Sequence, residues 1–387
     1  MKIIIVDPFS TSPNYSNTIS HYLSELDNEI YLVGANKSIN SMSGIGSKII
    51  RYPFISSKLD YPLEKKFYFL QNLVRLILYP FALLKIYFLV INKNIDVLHF
   101  QWSHIPILEF LLVLLAQRKC KVVYTFHNTT LFHGERHPVK EILTLGSKAL
   151  INKVNKVIVH TEYSKKTFSI KYPKIVNKIN VVPRGRDYFL ADKEISKKIV
   201  PRDSQINQQR DLNILFFGQI SFYKGVDILI ESIPYIEANN FKVQIFGRAE
   251  LDQNTLFSLA TESNVSEKIE WKIKFLSNLE VHEAYEAADI LVFPYRHIDQ
   301  SAVLMSALDY GKPIVASKVG GFEEILEHRI NGLLFENENH IDLAKCLGEL
   351  ILSPEKRQNY GEANLDLSKS WPSWSEISET TLKVYNN

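Results

Sequence analysis

Chemistry is first legible between Phe216 and Asp227, where the chain reads FFGQISFYKGVD. An apolar strand stops at Gly218, and Lys224 stands directly before Gly225 and the helix that follows. A strand, a glycine and then a lysine at a helix N-terminus form a layout that holds anionic oxygens. Lys224 is therefore the residue placed to neutralise a diphosphate, with a solvated lysine at a helix start as the plain alternative. Arg248, in Phe246-Gly247-Arg248, follows the next strand end and reads either as a second cation or as a surface arginine.

A second anion site is written into AADILVFPYRHIDQSAVLMSALDYGKPIVASKVGGFEEIL, residues 287–326. Ile290 to Phe293 is a strand that stops at Pro294, and the loop Tyr295 to Ser301 leads into a helix with Val303, Leu304, Ala307 and Leu308 at the helical period. The first amides of that helix, near Ala302 to Leu304, carry partial positive charge and suit a phosphate. Gly320 and Gly321, after the next strand, let backbone approach a ligand closely.

These residues need a scaffold, and its period is plain. Strands at Lys2–Val6, Ile30–Val33, Val97–Phe100, Lys121–Phe126, Lys156–Val159 and Ile179–Val182 alternate with helical stretches. The alternation resumes at Asn213–Phe217, with a helix over Gly225–Ala238, and at Lys242–Phe246 and Ile269–Trp271. Such alternation gives an α/β chain of two doubly wound parallel sheets, with ligand crevices at the carboxyl ends of the strands. The expected division is a first domain at 1–190, a polar linker at 191–211, a second domain at 212–367, and a closing helix at 368–387 crossing back to the first. A chain of 387 residues has room for two such domains.

Composition narrows the class. Hydrophobic residues make up 46% and charged residues 22%, which describes a folded rather than a disordered chain. Cys120 and Cys346 are too few for a disulfide framework and fit a reducing compartment. MKIIIVDPF goes straight into a strand without a signal-peptide layout, so a cytoplasmic location is expected. The net charge of +3 hides an asymmetry: residues 1–190 carry 25 basic against 12 acidic side chains, the remainder 20 against 30. The basic half is the one drawn to anionic surfaces. Within it, Lys65 to Lys93 is very apolar yet interrupted by Gln71, Asn72, Arg75, Pro80 and Lys85. Those interruptions argue against a spanning helix and for one lying in a membrane interface, or else a core helix pair.

FFGQISFYKGVDILIESI, VQIFGR, AADILVFPYR, QSAVLMSALDYGKPIVASKVGGFEEI and NGLLF stand in the order and spacing of the C-terminal domain of GT-B glycosyltransferases. The chain most resembles the retaining family 4 (glycosyl transferases group 1), strongly in its second half and loosely in its first through DVLHFQW, VVYTFHNT, IVHTEYSKK and VVPRG. The resemblance implies two Rossmann-like domains facing across a cleft and transfer of a sugar from a nucleotide diphosphate sugar to an acceptor hydroxyl. Lys224 would neutralise the departing diphosphate, the amides of Ala302 and Val303 would receive its distal phosphate, and His127 would face the donor sugar. Gly218, Gln219, Gly225, Arg248, Asp299, Gln300, Ser301, Ser306, Gly320, Gly321 and Glu324 would complete the donor side. The nucleotide base would lie near Trp271, Lys272, Ile273 and Phe275. On the acceptor side stand Ser10, Thr11, Asn14, Tyr15, His99 and Arg184. No two aspartates stand two residues apart, so the DxD metal motif of the other main glycosyltransferase fold is missing, and no metal or other cofactor is expected.

Departures from the family pattern matter too. Its two glutamates, eight positions apart, are Ile298 and Ser306 here, leaving Asp299, Gln300 and Ser306 as substitutes. Gln219 stands where a second cation is common, and Arg184 where the family often has histidine. The loop Ser10 to Tyr15 replaces a glycine-rich turn. Retention is what the resemblance implies; inversion needs a base such as Asp7, Glu135 or His127. Glu324 either contacts the donor or caps its own helix. The partners expected are a nucleotide sugar, a lipid-linked or oligosaccharide acceptor and the inner face of the plasma membrane through Lys65 to Lys93, with no nucleic acid. The rival from another class is a nucleotide-sugar-binding protein that has lost catalysis. A nicotinamide dehydrogenase is disfavoured, because KIIIVDPFSTSP lacks the glycine fingerprint.

Overall fold

The structure, a computed structural model, describes residues 1–9, 11–34, 49–55, 68–129, 145–186 and 210–387. Ser10, Lys65 to Phe67, Glu135 and the linker positions 191–209 lie outside the described residues. The chain divides into two units, Met1–Gly185 with Pro372–Asn387, and Arg186–Trp371.

The first unit runs β1 (Lys2–Asp7), α1 (Pro13–Glu25), β2 (Glu29–Gly34), β3 (Ile49–Pro53), α2 (Tyr68–Lys93), β4 (Val97–Phe100), α3 (Pro106–Ala116), β5 (Lys121–Thr125), α4 (Ser147–Lys153), β6 (Lys156–Val159), α5 (Glu162–Lys171) and β7 (Ile179–Val181). Its strands pair in parallel in the order β3-β2-β1-β4-β5-β6-β7. Continuous apolar runs such as Ile3 to Val6 are what a strand covered on both faces requires, and all four side chains are fully buried. The strand order reverses between β1 and β4, so the loops after β1, β4, β5 and β6 gather at one end of the sheet.

The second unit runs β8 (Leu212–Phe217), α6 (Val226–Ser232), β9 (Phe241–Phe246), α7 (Gln253–Glu262), β10 (Ile269–Lys272), α8 (Asn278–Ala287), β11 (Ile290–Phe293), α9 (Ala302–Leu308), β12 (Ile314–Ser317), β13 (Gly332–Phe335), α10 (His340–Leu352) and α11 (Pro354–Ser370). Its parallel order, β10-β9-β8-β11-β12-β13, reverses between β8 and β11, whose registered pairs are Ile290–Ile214 and Leu291–Leu215. The final helix, α12 (Trp374–Asn386), belongs to the first unit. It packs on α1, and its Lys383-to-Tyr385 end reaches β4 and β5: the Tyr385 hydroxyl lies 2.5 Å from His99 Nδ1, and Lys121 Nζ donates to the Tyr385 carbonyl at 2.6 Å.

Two helices expected from the pattern are shorter than their sequences suggest. The one starting at Gly225 ends at Ser232, because Pro234 has no amide to continue it, and a 3-10 turn follows at Ile233–Tyr235. After Gly320 the chain makes only a 3-10 turn, Gly320–Glu324. Glu324, its last residue, is therefore not the cap of a helix.

α2 is predominantly apolar. Leu73–Lys93 is long and apolar enough to cross a membrane by length and composition. Its inner face is committed elsewhere: Tyr79, Ala82, Leu83, Ile86 and Val90 are buried in the first unit's core cluster. The outer face, Leu73, Leu76, Ile77, Phe81, Leu84, Phe88 and Ile91, is exposed. The helix is thus packed along one side and apolar on the other.

Candidate functional site

The switch point of the second unit assembles the expected anion site from three pieces. The first is the strand end at Gly218, whose φ of +139° disfavours any side chain. A β-carbon there would stand 3.9 Å from Val303 Cγ2 and 4.0 Å from Tyr295 Oη, so the end of β8 lies against the start of α9. The second is the 3-10 turn Phe222–Lys224, closed by Gly225 in the left-handed region at φ +66°. A β-carbon at 225 would overlap the Pro294 carbonyl at 1.8 Å, which fixes glycine at that position. The third is the loop from Tyr295 to Ser301.

Lys224 is buried in this corner, with its ammonium 3.7 Å from the Tyr295 ring centroid and 5.2 Å from that of Tyr223. Among the described residues no carboxylate lies within ion-pairing distance of it. Burial pulls its pKa from 10.5 down to about 7. On the loop that follows Tyr295, Gln300 Oε1 is buried without a hydrogen-bond partner among the described residues. A desolvated cation without a carboxylate partner is costly for the empty fold, and an anion relieves that cost.

The turn is held from behind by an arginine. Arg296 Nη1 and Nη2 donate to the two Asp227 carboxylate oxygens at 2.9 and 2.6 Å, Nε donates to Glu338 at 2.8 Å, and Nη1 also donates to the Phe222 carbonyl at 2.7 Å. This fork ties the Lys224 turn to α6 and to the β11 loop. Its pKa is raised further, first by the hydrogen bond to Asp227.

The other expected donor residues divide. Ser301 Oγ accepts from the Leu304 amide at 3.2 Å, which removes Leu304 from the free amides and leaves those of Ala302 and Val303. Asp299 is buried on the same loop. Ser306 is buried, and its hydroxyl donates to the Ala302 carbonyl at 3.1 Å, one turn back, so its proton is not offered to a ribose. The Gly321 amide donates to the Ile298 carbonyl at 3.1 Å, spending the group expected to meet a ligand, while Gly320 takes φ +51°. Gln219, Arg248 and Glu324 are exposed. Trp271, Lys272, Ile273 and Phe275 lie at or just after β10, the edge strand; Phe275 is 84% exposed, and Trp271 packs edge-on against Phe257.

In the first unit the strand ends bring His127, Tyr15 and Arg184 together. The His127 ring meets Tyr15 edge-on at 5.0 Å and Arg184 Nη1 comes within 3.5 Å of Nδ1, while the Arg184 guanidinium lies over Tyr15 at 5.3 Å. Two residues not singled out in the sequence complete the group: Trp102 stacks on His127 at 4.7 Å, and His160 Nε2 lies 3.0 Å from His127 Nδ1. Burial, then the neighbouring His160 and Arg184, hold the His127 pKa well below 6.5, so the ring is neutral.

Two expectations on this side change. His99 is fully engaged inside the fold, between Tyr385 and Thr125 Oγ1 at 2.7 Å, and burial lowers its pKa to about 3. It ties α12 to the sheet rather than facing an acceptor. Asp7 accepts from the Thr11 and Ser12 amides at 2.9 and 3.2 Å and from Ser16 Oγ at 2.8 Å. Its carboxylate fills the β1–α1 turn where a dinucleotide-binding sheet would admit pyrophosphate, and it is committed to those donors rather than placed as a base. Thr11 and Asn14 are exposed, with Thr11 Oγ1 3.4 Å from His104 Nε2.

A tyrosine and an arginine directly after a strand-ending proline, the PYR of VFPYR, were the available signal for the lysine corner. Nothing local marked His160 or Trp102.

Comparison with known proteins shows the family and the fold. Residues 198–366 match the family described as glycosyl transferases group 1, and residues 17–188 match glycosyltransferase family 4. An uncharacterized glycosyltransferase of Methanocaldococcus jannaschii is 30% identical over 252 residues, covering 64% of this chain and 68% of that protein. A second from the same organism is 29% identical over 214 residues, 54% of each chain, so this chain spans about half the length of that relative. Among solved structures, Anabaena HepE in complex with UDP-glucose superposes with a TM-score of 0.73 at 16% identity, covering 100% of this chain and 99% of that one.

Proposed function

This chain belongs to the family 4 glycosyltransferases (glycosyl transferases group 1) and has their GT-B fold, and from that premise we propose that it moves a sugar from a nucleotide diphosphate sugar to an acceptor hydroxyl. The observation that carries this reading is the Lys224 corner, a buried ammonium with no carboxylate within ion-pairing distance among the described residues. In it Lys224 balances charge that grows on the diphosphate as the glycosidic bond breaks, while the Ala302 and Val303 amides receive the distal phosphate. Donors aimed at developing charge in a dry site act without a metal, so transfer persists in chelator. Retention, with the departing phosphate assisting the incoming hydroxyl, fits a site in which Asp7 is already engaged. HepE was solved with UDP-glucose, which supports a uridine nucleotide sugar as the first donor to try.

The acceptor is a lipid-linked glycan of surface polysaccharide synthesis, reached from the cytoplasmic face of the membrane. The support is the outer face of the first unit. α2 and α3 expose Leu76, Ile77, Phe81, Phe88, Leu111 and Leu114, α2 contains no acidic residue, and the one carboxylate of α3, Glu109, is fully buried. Apolar side chains on a helix whose charged residues, Arg75, Lys85 and Lys93, are all basic suit an anionic bilayer surface.

Donor hydrolysis and transfer, measured over a panel of nucleotide sugars with Lys224→Ala as control, test the proposal. Turnover lost in the variant supports it. Nucleotide binding without any turnover points to the inactive nucleotide-sugar-binding protein, for which the missing glutamates at Ile298 and Ser306 speak.

A further inference from the structure

The chain passes between its two units twice, at Gly185–Arg186 and at Trp371–Pro372. Both passages are fastened to one carboxylate. Arg186 Nη1 donates to Asp309 Oδ1 and to Ser368 Oγ, and the Ser368 hydroxyl donates to the same Asp309 oxygen. Arg186 is the first residue of the second unit, and Ser368 stands three positions before Trp371. Asp309 is the C-terminal cap residue of α9. A carboxylate at that negative end of a helix is unfavourable by itself. The Asp309 and Arg186 side chains are 12% and 14% exposed, so water screens their charges little and each depends on the other.

α11 is shaped to hold the same end of α9. Gly361, Asn364 and Ser368 recur on one face of α11 at helical spacing, and all three are buried. Asn364 Nδ2 donates to the Lys312 and Asn331 carbonyls, each at 2.9 Å, and a β-carbon at position 361 would stand 2.3 Å from the Gly311 carbonyl. α11 therefore meets the backbone directly after α9 with no side chain between them. We propose that Asp309 is a positioning residue for the donor site. It holds the foot of α9 to both chain passages, and through α9 it sets Val303 against Gly218 beside the Lys224 corner. α9 has seven residues and is about 10 Å long, so a shift at its foot is carried to its head. The inference rests on the nucleotide-sugar reading for what that corner holds, but not for the cluster itself.

The test uses the full chain and two variants of one position. Asp309→Ala removes the acceptor shared by Arg186 and Ser368, whereas Asp309→Asn keeps an oxygen there. UDP affinity is titrated well below each melting temperature, where essentially every molecule is folded and a loss of global stability leaves Kd unmoved. Asp309→Ala should weaken UDP binding by roughly 5- to 20-fold, about the value of one hydrogen bond at the corner, and Asp309→Asn by less than about threefold. Hydrogen exchange at the amides of Met305 to Leu308 should quicken in Asp309→Ala and stay close to wild type in Asp309→Asn. Should Asp309→Ala not fold, Ser368→Ala carries the same two readouts, with UDP binding weakened by about two- to fivefold. Undiminished UDP affinity in the folded variant, or exchange in α9 no faster than in the wild type, would overturn the proposal. A wild type that binds no nucleoside diphosphate would instead sink the nucleotide-sugar reading, and the exchange comparison would still decide whether Asp309 holds α9.

Discussion

Replacing Lys224 with methionine should stabilise the ligand-free protein while removing its hold on a nucleoside diphosphate. Burial lowers the Lys224 pKa from 10.5 to about 7. At about 1.4 kcal/mol per pH unit this costs the fold roughly 4–5 kcal/mol at pH 7. The Tyr295 and Tyr223 rings return about 1–2 kcal/mol of that through cation–π attraction, so the variant should gain about 2–4 kcal/mol. The sign in pH follows from proton counts. The folded pKa lies below the unfolded one, so between pH 7 and 10.5 the unfolded chain binds more protons and wild-type stability rises with pH. The advantage of Lys224→Met should be full at or below pH 7 and fade as pH approaches the unfolded value. Calorimetry should show a melting temperature higher by roughly 5–10 °C at pH 7. Titration with UDP should show Kd weakened by about 10- to 100-fold, the loss of charge-assisted hydrogen bonds. Wild-type binding at pH 8 should take up protons, because the diphosphate returns charge to the lysine. A variant less stable than wild type across this range, or one that binds UDP equally well, would refute the reasoning.

Three further outcomes follow from the same geometry. Asp227→Ala should remove the bidentate partner of the half-buried Arg296, cost about 1–3 kcal/mol in urea unfolding and weaken UDP binding; undiminished affinity would show that the turn does not need its anchor. Gly225→Ala drives a methyl into the Pro294 carbonyl and should cost more than about 2 kcal/mol by thermal melting, with ordinary stability as the contrary result. Phe81→Asp combined with Phe88→Asp, both outward on α2, should leave the melting temperature within a few degrees and abolish flotation with vesicles rich in anionic lipid; unchanged flotation would mean that this face does not meet a membrane.

The scaffold was readable because parallel sheets covered on both faces need unbroken apolar runs, and runs such as KIIIV and ILVF carry that requirement in the sequence itself. The lysine corner was readable in part. Gly218, Lys224 and Val303 come together because the strand order puts the ends of β8 and β11 side by side, whereas Tyr295 read only as the first residue of a loop. Roles that depend on where a proton goes were not readable. Ser306 turned back on its own helix and Gly321 gave its amide to Ile298, choices made by backbone geometry at single positions. His99 looked like a strand-end functional histidine, yet its partner is Tyr385, 286 positions away, and no local pattern announces such a pair. His160 escaped notice for the same reason, since its meaning lies in its contact with His127.

Structure determination with a bound nucleoside diphosphate tests the central claim most directly. The account predicts a phosphate oxygen at about 2.8 Å from Lys224 Nζ, with the distal phosphate against the Ala302 and Val303 amides. A diphosphate seated elsewhere in the second unit, with the Lys224 ammonium still facing only Tyr295 and Tyr223, would contradict it.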